Sequence, residues 1–488
     1  MLHLSSSGSS GRTRHRRPRG AWLSVVAVAG VLALGVPTAS VAAVRAGGSQ
    51  SAAAQATAAQ TTRQYVIRFW PRWTTYYQQI FISHALGANV LHGPKKITPL
   101  MNAIVAVNDD TLYATSFVDL RNGPVVLTIP ATNDVYSILA VDMFTNVIPV
   151  NIPSQRPGAY ALVPPGWKGT LPAGVTKVPV PYAVTFWNVR ADKYSSTGQN
   201  MIPQATAFRM GLHMATLAQY EADPSTGPAE ILPVVPNYVF SFKLAQDASV
   251  TLTPTLFLRQ TQRAVADPTT VPLSPSDIQL SQAFNRDFAA ARRAAARGNP
   301  VPLLRIDAAA RSAYRAIVAA WITNTGPTNW THQDNFGEWG TDYLARAAGA
   351  EYIQFGNNNA AAGYYDAFKD GTGQLLNGAR HNYKLTFPAG DLPQAKRFWS
   401  VTAYTPGNVE PIPNRLDKYL VARYTPGLVT NPDGSITIYM APTKPAGVPT
   451  ANWLPTRRGL FSILMRVYGP TGNTASPTYA PPAIMPVG

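Results

Sequence analysis

The sequence has no cysteine and few charged residues. Without cysteine there is no disulfide, no thiolate metal ligand and no cysteine nucleophile. Charged residues make up only 13% of the 488 residues, whereas proline (43) and glycine (36) are frequent. A chain with few charges and many turn-forming residues does not consist mainly of long solvent-facing helices. The composition therefore favours short strands joined by tight turns.

Several familiar catalytic motifs are also missing from the sequence. We find no Gly-x-Ser-x-Gly nucleophile elbow, no P-loop and no dinucleotide-binding fingerprint. No two histidines stand in the His-x-x-x-His spacing that is typical of zinc sites. We therefore predict neither a metal nor a cofactor, although catalytic residues that are scattered along a chain leave no such motif.

The formal net charge of +17 is not concentrated in one basic surface motif. Six arginines lie in the first 50 residues, which contain no acidic residue. The rest of the chain is basic as well, but no dense Lys/Arg stripe alternates with aromatic residues there. Nucleic acid is therefore not a predicted partner.

The N-terminus has the three parts of a secretory signal peptide in the usual order. Basic residues 12–19 precede an apolar run over residues 21–36, and small residues follow at 40–43. We predict that residues 1–43 are a signal peptide and that the protein is secreted or lies in the cell envelope. An uncleaved signal helix that anchors the chain is the alternative. No later segment is apolar enough over roughly 20 residues to span a membrane.

The remaining chain divides by composition into five parts. Residues 44–62 are rich in Ala, Gln, Ser and Thr, and we expect a disordered linker there. Residues 63–200 are predicted to be a β-rich domain, and residues 201–330 a mainly helical bridge. Residues 331–475 are predicted to be a β-sandwich domain, followed by a tail over 476–488.

Periodicity supports this division. Leu280, Phe284 and Phe288 recur at helical spacing, and Asp307 is a candidate N-cap of the next helix. Residues 398–404 alternate between apolar and small or polar side chains, as a strand does. The predicted fold class is α+β and mostly β, with two antiparallel β-sandwich or jelly-roll-like units bridged by a helical segment.

Several stretches of the sequence are similar to known protein families, namely 107–113, 123–127 and 142–146 in the N-terminal part, and 339–346, 398–404, 431–435, 452–455 and 466–470 in the C-terminal part. The N-terminal part resembles the domain of unknown function 1254, and the C-terminal part resembles its usual companion, the domain of unknown function 1214. The resemblance implies a two-part, largely β and often exported protein, and it implies no established reaction.

The densest polar cluster in this acid-poor chain is a candidate ligand-binding site. It contains Asn108, Asp109, Asp110 and Tyr113, and Asn146 follows at the end of a later predicted strand. Oxygen-bearing side chains of this kind bind a cation or a sugar hydroxyl. The alternative interpretation is structural, because Asn and Asp side chains often cap a turn before a strand.

Three residues are candidates for acid–base chemistry. Asp110 and Asp142 are carboxylates beside predicted strands, and His332 lies in an aromatic loop with further acidic residues. The sequence thus leaves three functions open. We favour an exported protein that binds a glycan or a small amphiphilic ligand between its two β units. The alternatives are a secreted hydrolase-like enzyme that uses these carboxylates and the histidine, and a non-catalytic interaction protein of the cell envelope.

Overall fold

The computed structural model describes residues 48–94, 96–99, 103–225 and 241–487. The predicted signal peptide lies outside these described residues. Residues from Ser51 onward form one compact unit. Within the described ranges, no helix combines the length and the apolar character that a membrane span requires.

The first element, helix α1 (Gly48–Leu86), includes residues 48–62 of the segment 44–62 for which the sequence predicted a disordered linker. Residues 44–47 lie outside the described residues. The Ala-rich segment is helical from Gly48 onward, because alanine has the highest helix propensity. The following turns of α1 already form a helix, so the segment extends an existing helix and does not have to nucleate a new one. Tyr65, Phe69 and Trp70 on this helix are almost fully buried. The Ala-rich segment is therefore the N-terminal part of a helix whose later turns are packed in the core.

Eight strands form the first β unit, which is a sandwich of two four-stranded sheets. Its inner sheet has the order β1-β7-β3-β4 and its outer sheet has the order β6-β5-β2-β8. A hydrophobic core lies between the two sheets. The strands are β1 (Thr111–Asp119), β2 (Val125–Ile129), β3 (Tyr136–Val141), β4 (Val147–Ile148), β5 (Gly158–Val163), β6 (Val175–Pro179), β7 (Val184–Asp192) and β8 (His213–Thr216).

Seven further helices lie between and beside the β units in the described residues. Strand β8 comes after the first of them, so the first β unit extends past residue 200, where the sequence predicted its end. The last of them lies within the segment that was predicted to be purely a sandwich. The helices are α2 (Ile202–Met210), α3 (Leu217–Ala222), α4 (Phe242–Leu252), α5 (Pro254–Ala266), α6 (Pro275–Ala296), α7 (Val301–Ile322) and α8 (Tyr343–Tyr352).

Helices α6 and α7 carry the apolar stripes that the sequence predicted, but the start of α7 differs. In α6, Phe284 and Phe288 are buried. Helix α7 begins at Val301, so Asp307 lies inside it and is not its N-cap. The carboxylate of Asp307 instead accepts a hydrogen bond of 2.9 Å from the hydroxyl of Thr255. A proline in the first turn allows the helix to start earlier, because its fixed φ suits that position.

The second β unit is also a sandwich. Its inner sheet has the order β12-β11-β16-β9, with β13 also paired to β11, and its outer sheet has the order β15-β14-β10-β17. A second hydrophobic core lies between these sheets. The strands are β9 (Ala362–Ala367), β10 (Asn382–Phe387), β11 (Ala395–Thr405), β12 (Glu410–Pro411), β13 (Leu420–Ala422), β14 (Ile436–Ala441), β15 (Trp453–Pro455), β16 (Ser462–Pro470) and β17 (Met485–Val487).

The predicted α+β class with a mostly β fold is confirmed. All four sheets of the described residues are open, and antiparallel pairs dominate, although β5–β6 and β14–β15 are parallel. Each inner sheet has a second face, which points away from its sandwich core. On that face the strands carry polar side chains that are nevertheless buried.

Candidate functional site

A cavity of about 70 Å³ lies between the second faces of the two inner sheets, and we call it the inter-sheet cavity. Strands β1 and β7 provide one wall, strands β9 and β16 provide another, and the loop before β1 provides a third. Its lining residues are His92, Gly93, Pro94, Ala103, Ile104, Val105, Ala106, Val107, Asn108, Tyr113, Thr115, Phe186, Asn188, Arg190, Ile353, Phe355, Gly356, Tyr364, Arg466 and Tyr468.

The wall from the first β unit follows from strand alternation. Tyr113 on β1 is paired with Arg190 on β7, and Thr115 is paired with Asn188. Because side chains alternate between the faces of a sheet, these four residues point away from the core of the sandwich. They are therefore placed on the side that faces the second β unit.

The wall from the second β unit is built in the same way. Tyr364 on β9 is paired with Arg466 on β16, and Tyr468 lies two positions further along β16 on the same face. Arg466 is only 2% exposed. Its guanidinium donates hydrogen bonds to the backbone oxygen of Ala106 and, at 3.4 Å, to the hydroxyl of Thr402.

The third wall is a strained loop that the second β unit fixes in place. Ala106 has φ of +51°, a value that is uncommon for a residue other than glycine. Its backbone N–H donates to the backbone oxygen of Val409 at 3.0 Å. The hydroxyl of Tyr404 donates to the backbone oxygen of Val107 at 2.7 Å. A strained backbone of this kind persists where the surrounding contacts determine its conformation.

Three tyrosine hydroxyls of the cavity accept hydrogen bonds from N–H groups. Tyr113 accepts from the backbone N–H of Asn108 at 3.2 Å, and Tyr468 accepts from the side-chain amide of Asn108 at 2.7 Å. Tyr364 accepts two bonds of 3.0 Å from Asn357. None of the three donates to an acceptor among the described residues. Each therefore retains its own hydrogen for a further acceptor.

Arg190 is the least satisfied cation of the cavity. It is 3% exposed, and its guanidinium donates to the hydroxyl of Tyr468 at 3.4 Å and to the backbone oxygen of Phe355 at 3.2 Å. Its Nε is buried without a partner, and none of the ion pairs found among the described residues includes it. A buried cation of this kind is costly unless a ligand or water completes its hydrogen bonds.

His92 adds a polar but uncharged group. Burial lowers the pKa of its imidazole to about 4, so the ring is neutral at physiological pH. It lies 3.2 Å from the hydroxyl of Thr115. The fixed positive charges on the cavity wall are therefore those of Arg190 and Arg466.

The remaining lining is apolar. Phe186 and Phe355 stack with ring centroids 3.9 Å apart, and Ile104, Val105 and Ile353 lie on the same cavity. Ile104 is only half-buried, whereas Val105 is buried. The cavity thus combines an array of hydrogen-bond donors with a hydrophobic region, which is the usual composition of a small-molecule site.

The structure divides the predicted Asn108–Tyr113 cluster. Asn108 and Tyr113 line the cavity, whereas Asp109 and Asp110 do not. The side-chain oxygen of Asn108 also accepts a bond of 3.3 Å from the backbone N–H of Thr111, which matches the alternative interpretation as a turn cap. Asn108 therefore caps the turn and faces the cavity at once.

The two carboxylates of this cluster have separate partners. Asp109 forms an ion pair of 2.7 Å with Lys193. Asp110 is fully buried and accepts hydrogen bonds from Ser400 at 2.8 Å and from Tyr424 at 2.5 Å. Burial raises the pKa of the Asp110 carboxyl, and these hydroxyls counteract that rise. Asp110 thus connects the two β units instead of facing the cavity.

The other predicted site residues lie elsewhere. The carboxylate of Asp142 accepts hydrogen bonds from the backbone N–H of Phe144 at 2.8 Å and from the backbone N–H and the side-chain amide of Asn146. These hydrogen bonds hold residues 142–146 in a tight turn. His332 stacks on Tyr365 and contacts the backbone oxygen of residue 364 through Nδ1 at 2.8 Å. The structure does not bring Asp110, Asp142 and His332 to one site.

Sequence reasoning missed most of the polar cavity wall. Asn188, Arg190, Tyr364, Arg466 and Tyr468 were not among the predicted site residues. The available signal was polar or charged residues at every second position of strands that are otherwise apolar. In the described residues, no cluster of three or more acidic or histidine side chains is arranged to bind a metal.

Comparison with known proteins identifies both halves of this architecture. Residues 88–216 match the family described as protein of unknown function DUF1254, and residues 361–472 match the family described as protein of unknown function DUF1214. A stretch that is similar to the first family thus precedes a stretch that is similar to the second. The predicted order of the two families is confirmed, and each family match covers the inner-sheet strands of one cavity wall.

One solved structure supports the fold. The crystal structure of the VPA0106 protein from Vibrio parahaemolyticus is similar with a TM-score of 0.54 and 20% identity, covering 88% of this chain and 100% of that chain. A crystal structure of an uncharacterized protein from Burkholderia cenocepacia has a TM-score of 0.39 and 16% identity, covering 90% of this chain and 96% of that chain. No curated protein matches the chain. The similarity to the Vibrio protein concerns the fold alone.

Proposed function

We propose that this protein binds a small amphiphilic molecule in the inter-sheet cavity. The observation that carries the proposal is a pair of buried polar atoms without partners in one cavity, Arg190 Nε and Asn188 Oδ1. An unsatisfied buried polar group costs about 1–3 kcal/mol, so folded proteins retain few of them. A ligand that bonds to either atom offsets part of this cost when it binds.

The size of the cavity favours a small molecule over a polymeric glycan. A volume of about 70 Å³ accommodates several water-sized groups at roughly 10–15 Å³ each. The apolar side chains beside the polar wall, including Phe186 and Phe355, favour a ligand with a hydrocarbon part. A hydrolase-like function receives less support, because Asp110, Asp142 and His332 make their hydrogen bonds at three separate places.

A binding assay with a blocked cavity tests this proposal. The full chain is purified and assayed by thermal shift with sugars, short fatty acids, alcohols and aromatic acids, and co-purified molecules are extracted for mass spectrometry. Ile104→Trp places a large side chain at the half-buried edge of the cavity, and Ile80→Trp is the matched control on the exposed side of α1.

We expect one ligand class to raise the melting temperature of the parent and of Ile80→Trp by a few degrees, and not that of Ile104→Trp. The proposal fails if no molecule co-purifies and no compound stabilises the parent more than Ile104→Trp. The cavity would then be a hydrated part of the fold.

We also propose that the protein is exported through cleavage of residues 1–43, with a secreted or cell-envelope location. The order of basic, apolar and small residues supports this proposal. Intact-mass analysis of the exported fraction is expected to give a chain that starts between Ala42 and Ala46. A full-length product that is retained in the membrane would instead support an uncleaved anchor.

A further inference from the structure

We infer that the ligand of the inter-sheet cavity carries a carboxylate, which Arg190 binds, and a short hydrocarbon part. This inference rests on the proposed binding function and specifies its ligand class. Its basis is the combination of charge, hydrogen-bond polarity and apolar surface around one buried guanidinium.

The first argument is charge. The two cavity arginines differ in their surroundings, although both are buried. Arg466 has an acidic neighbour, since its positive charge acts on the hydrogen-bonded carboxyl of Asp110. Arg190 donates to the uncharged oxygens of Tyr468 and of the Phe355 backbone, and it belongs to none of the ion pairs found among the described residues. Of the two arginines, it is therefore Arg190 that lacks a compensating anion in the protein, and a ligand with one negative charge would provide it.

The second argument is the direction of the hydrogen bonds. Arg190 Nε and the hydroxyls of Tyr113, Tyr364 and Tyr468 are donors without an acceptor among the described residues. Among the fully buried side-chain atoms of the described lining, Asn188 Oδ1 is the acceptor without a partner. A wall with more free donors than free acceptors suits an anion, because a carboxylate only accepts hydrogen bonds.

The third argument is the kind of anion. Burial keeps His92 uncharged, so it does not add a second ligand-binding cation beside Arg190. A guanidinium binds a planar carboxylate through two parallel hydrogen bonds, and Nε is one of the two donors used in that geometry. A single unpaired positive charge favours a monoanion over a doubly charged phosphate.

The apolar part of the cavity defines the rest of the ligand. Phe186 and Phe355 lie beside the polar wall, together with Ile104 and Val105. The volume of about 70 Å³ limits the hydrocarbon to a short chain or a small ring. We therefore choose hexanoate as the central probe, with acetate and octanoate as shorter and longer carboxylates.

A head-group series separates this inference from the proposed function itself. Hexanoate, hexanamide, hexan-1-ol and hexylamine share one alkyl chain and differ in charge and hydrogen bonding. Their affinities for the full chain are measured by calorimetry, with inorganic phosphate as a dianion. We expect hexanoate to bind about ten- to hundredfold more tightly than the amide and the alcohol, and the amine and phosphate to bind most weakly.

Variants locate the effect. Arg190→Gln is expected to weaken hexanoate about ten- to hundredfold and to leave hexan-1-ol unchanged, while Arg190→Lys has an intermediate effect. Arg346→Gln is the matched control, because Arg346 is also buried with an unpartnered Nε but does not line the cavity. It is expected to retain the affinity of the parent for hexanoate. If Arg190→Gln does not fold, the affinity of Arg190→Lys for hexanoate and the head-group series of the parent test the carboxylate inference instead.

Each outcome has one meaning. Equal affinity for hexanoate and hexan-1-ol, unchanged by substitution of Arg190, would overturn the carboxylate inference and leave the binding function intact. Tighter binding of phosphate than of any carboxylate would overturn it as well. If no compound of the series binds and none co-purifies, the proposed function fails, and the carboxylate inference fails with it.

Discussion

The carboxylate of Asp110 accepts a hydrogen bond of 2.5 Å from the hydroxyl of Tyr424, which lies 314 positions further along the chain. Ser400 donates a second bond to the same carboxylate at 2.8 Å. Asp110 belongs to the first β unit, whereas both hydroxyls belong to the second. A buried acidic side chain therefore connects the two units next to the inter-sheet cavity.

Tyr424→Phe is expected to destabilise the protein by about 1–3 kcal/mol, because it leaves a buried carboxyl oxygen of Asp110 without its hydrogen-bond donor. The measurement is the free energy of unfolding in urea. Tyr194→Phe is the matched control, since Tyr194 stacks on Tyr424 with ring centroids 4.7 Å apart but has no part in binding Asp110. Equal losses in the two variants would contradict the interpretation.

A second prediction concerns the buried ion pair of the helical region. Lys243 on α4 contacts Asp247 at 2.9 Å and forms a close contact with Glu351 on α8. Lys243→Met leaves two carboxyl groups facing each other without a cation. We expect a loss of about 3–5 kcal/mol in the free energy of unfolding, as is usual when one partner of a buried pair is removed.

The control for this prediction is the exposed pair of Lys96 and Asp417, whose side chains are 61% and 51% exposed. Lys96→Met is expected to cause no measurable change, because solvent screens such pairs. The double variant Lys243→Met/Glu351→Met should be more stable than Lys243→Met alone. If the loss in unfolding free energy of the double variant equals the sum of the losses of the two single variants, Lys243 and Glu351 are not coupled.

Local patterns predicted much of the secondary structure. Helix α6 begins after Ser274, which caps it together with Asp277, and its apolar stripe has the predicted spacing. Strand β11 covers the predicted segment 398–404. These elements depend on neighbouring residues, so periodicity and capping residues suffice. The early start of α1 was missed because low-complexity composition masked a run of good helix formers.

The site was predictable only in part, for a tertiary reason. Asn108 and Tyr113 stood out because they lie in one polar segment. Arg190 and Arg466 lie 276 positions apart and become neighbours only when two inner sheets face each other. The alternation of apolar and polar side chains along a strand shows that the strand has two different faces. It does not show that the polar face packs against the inner sheet of a second β unit.

A third prediction concerns the close packing of α8 against the loop before it. A Cβ added at Gly349 would lie 2.6 Å from the ring of Trp339, which is 2% exposed. Alanine normally stabilises a helix interior by up to about 1 kcal/mol relative to glycine. Because the buried ring cannot move away freely, we expect Gly349→Ala to destabilise the protein by about 1–3 kcal/mol instead.

Gly390→Ala is the control, because nothing lies within 4 Å of a Cβ placed there. It is expected to leave the urea unfolding curve within a few tenths of a kcal/mol of the parent's. An increase in stability for Gly349→Ala would show that the indole ring has room to move.

The last prediction concerns the pH dependence of stability. Asp366 on β9 is 2% exposed, accepts a hydrogen bond of 2.9 Å from the indole of Trp321 and has an unpartnered Oδ1. Burial raises the pKa of its carboxyl from 3.8 to about 7, although Trp321 and Arg466 oppose the rise. The folded state therefore binds this proton more tightly than the unfolded state. Its contribution to stability is complete below about pH 4 and is lost as the pH rises towards 7.

Asp366→Asn is neutral at every pH, so the variant should lose this dependence. We expect the free energy of unfolding of the parent, relative to Asp366→Asn, to fall between pH 4 and 7 by up to about 1.4 kcal/mol per pH unit. Urea titrations at pH 4, 5, 6 and 7 measure this difference, and background slopes from other buried carboxyls cancel in it. Asp334→Asn, at a side chain that is 80% exposed, is the control and should follow the parent. If the parent and Asp366→Asn change in parallel over this range, Asp366 is already ionised in the folded state at pH 4.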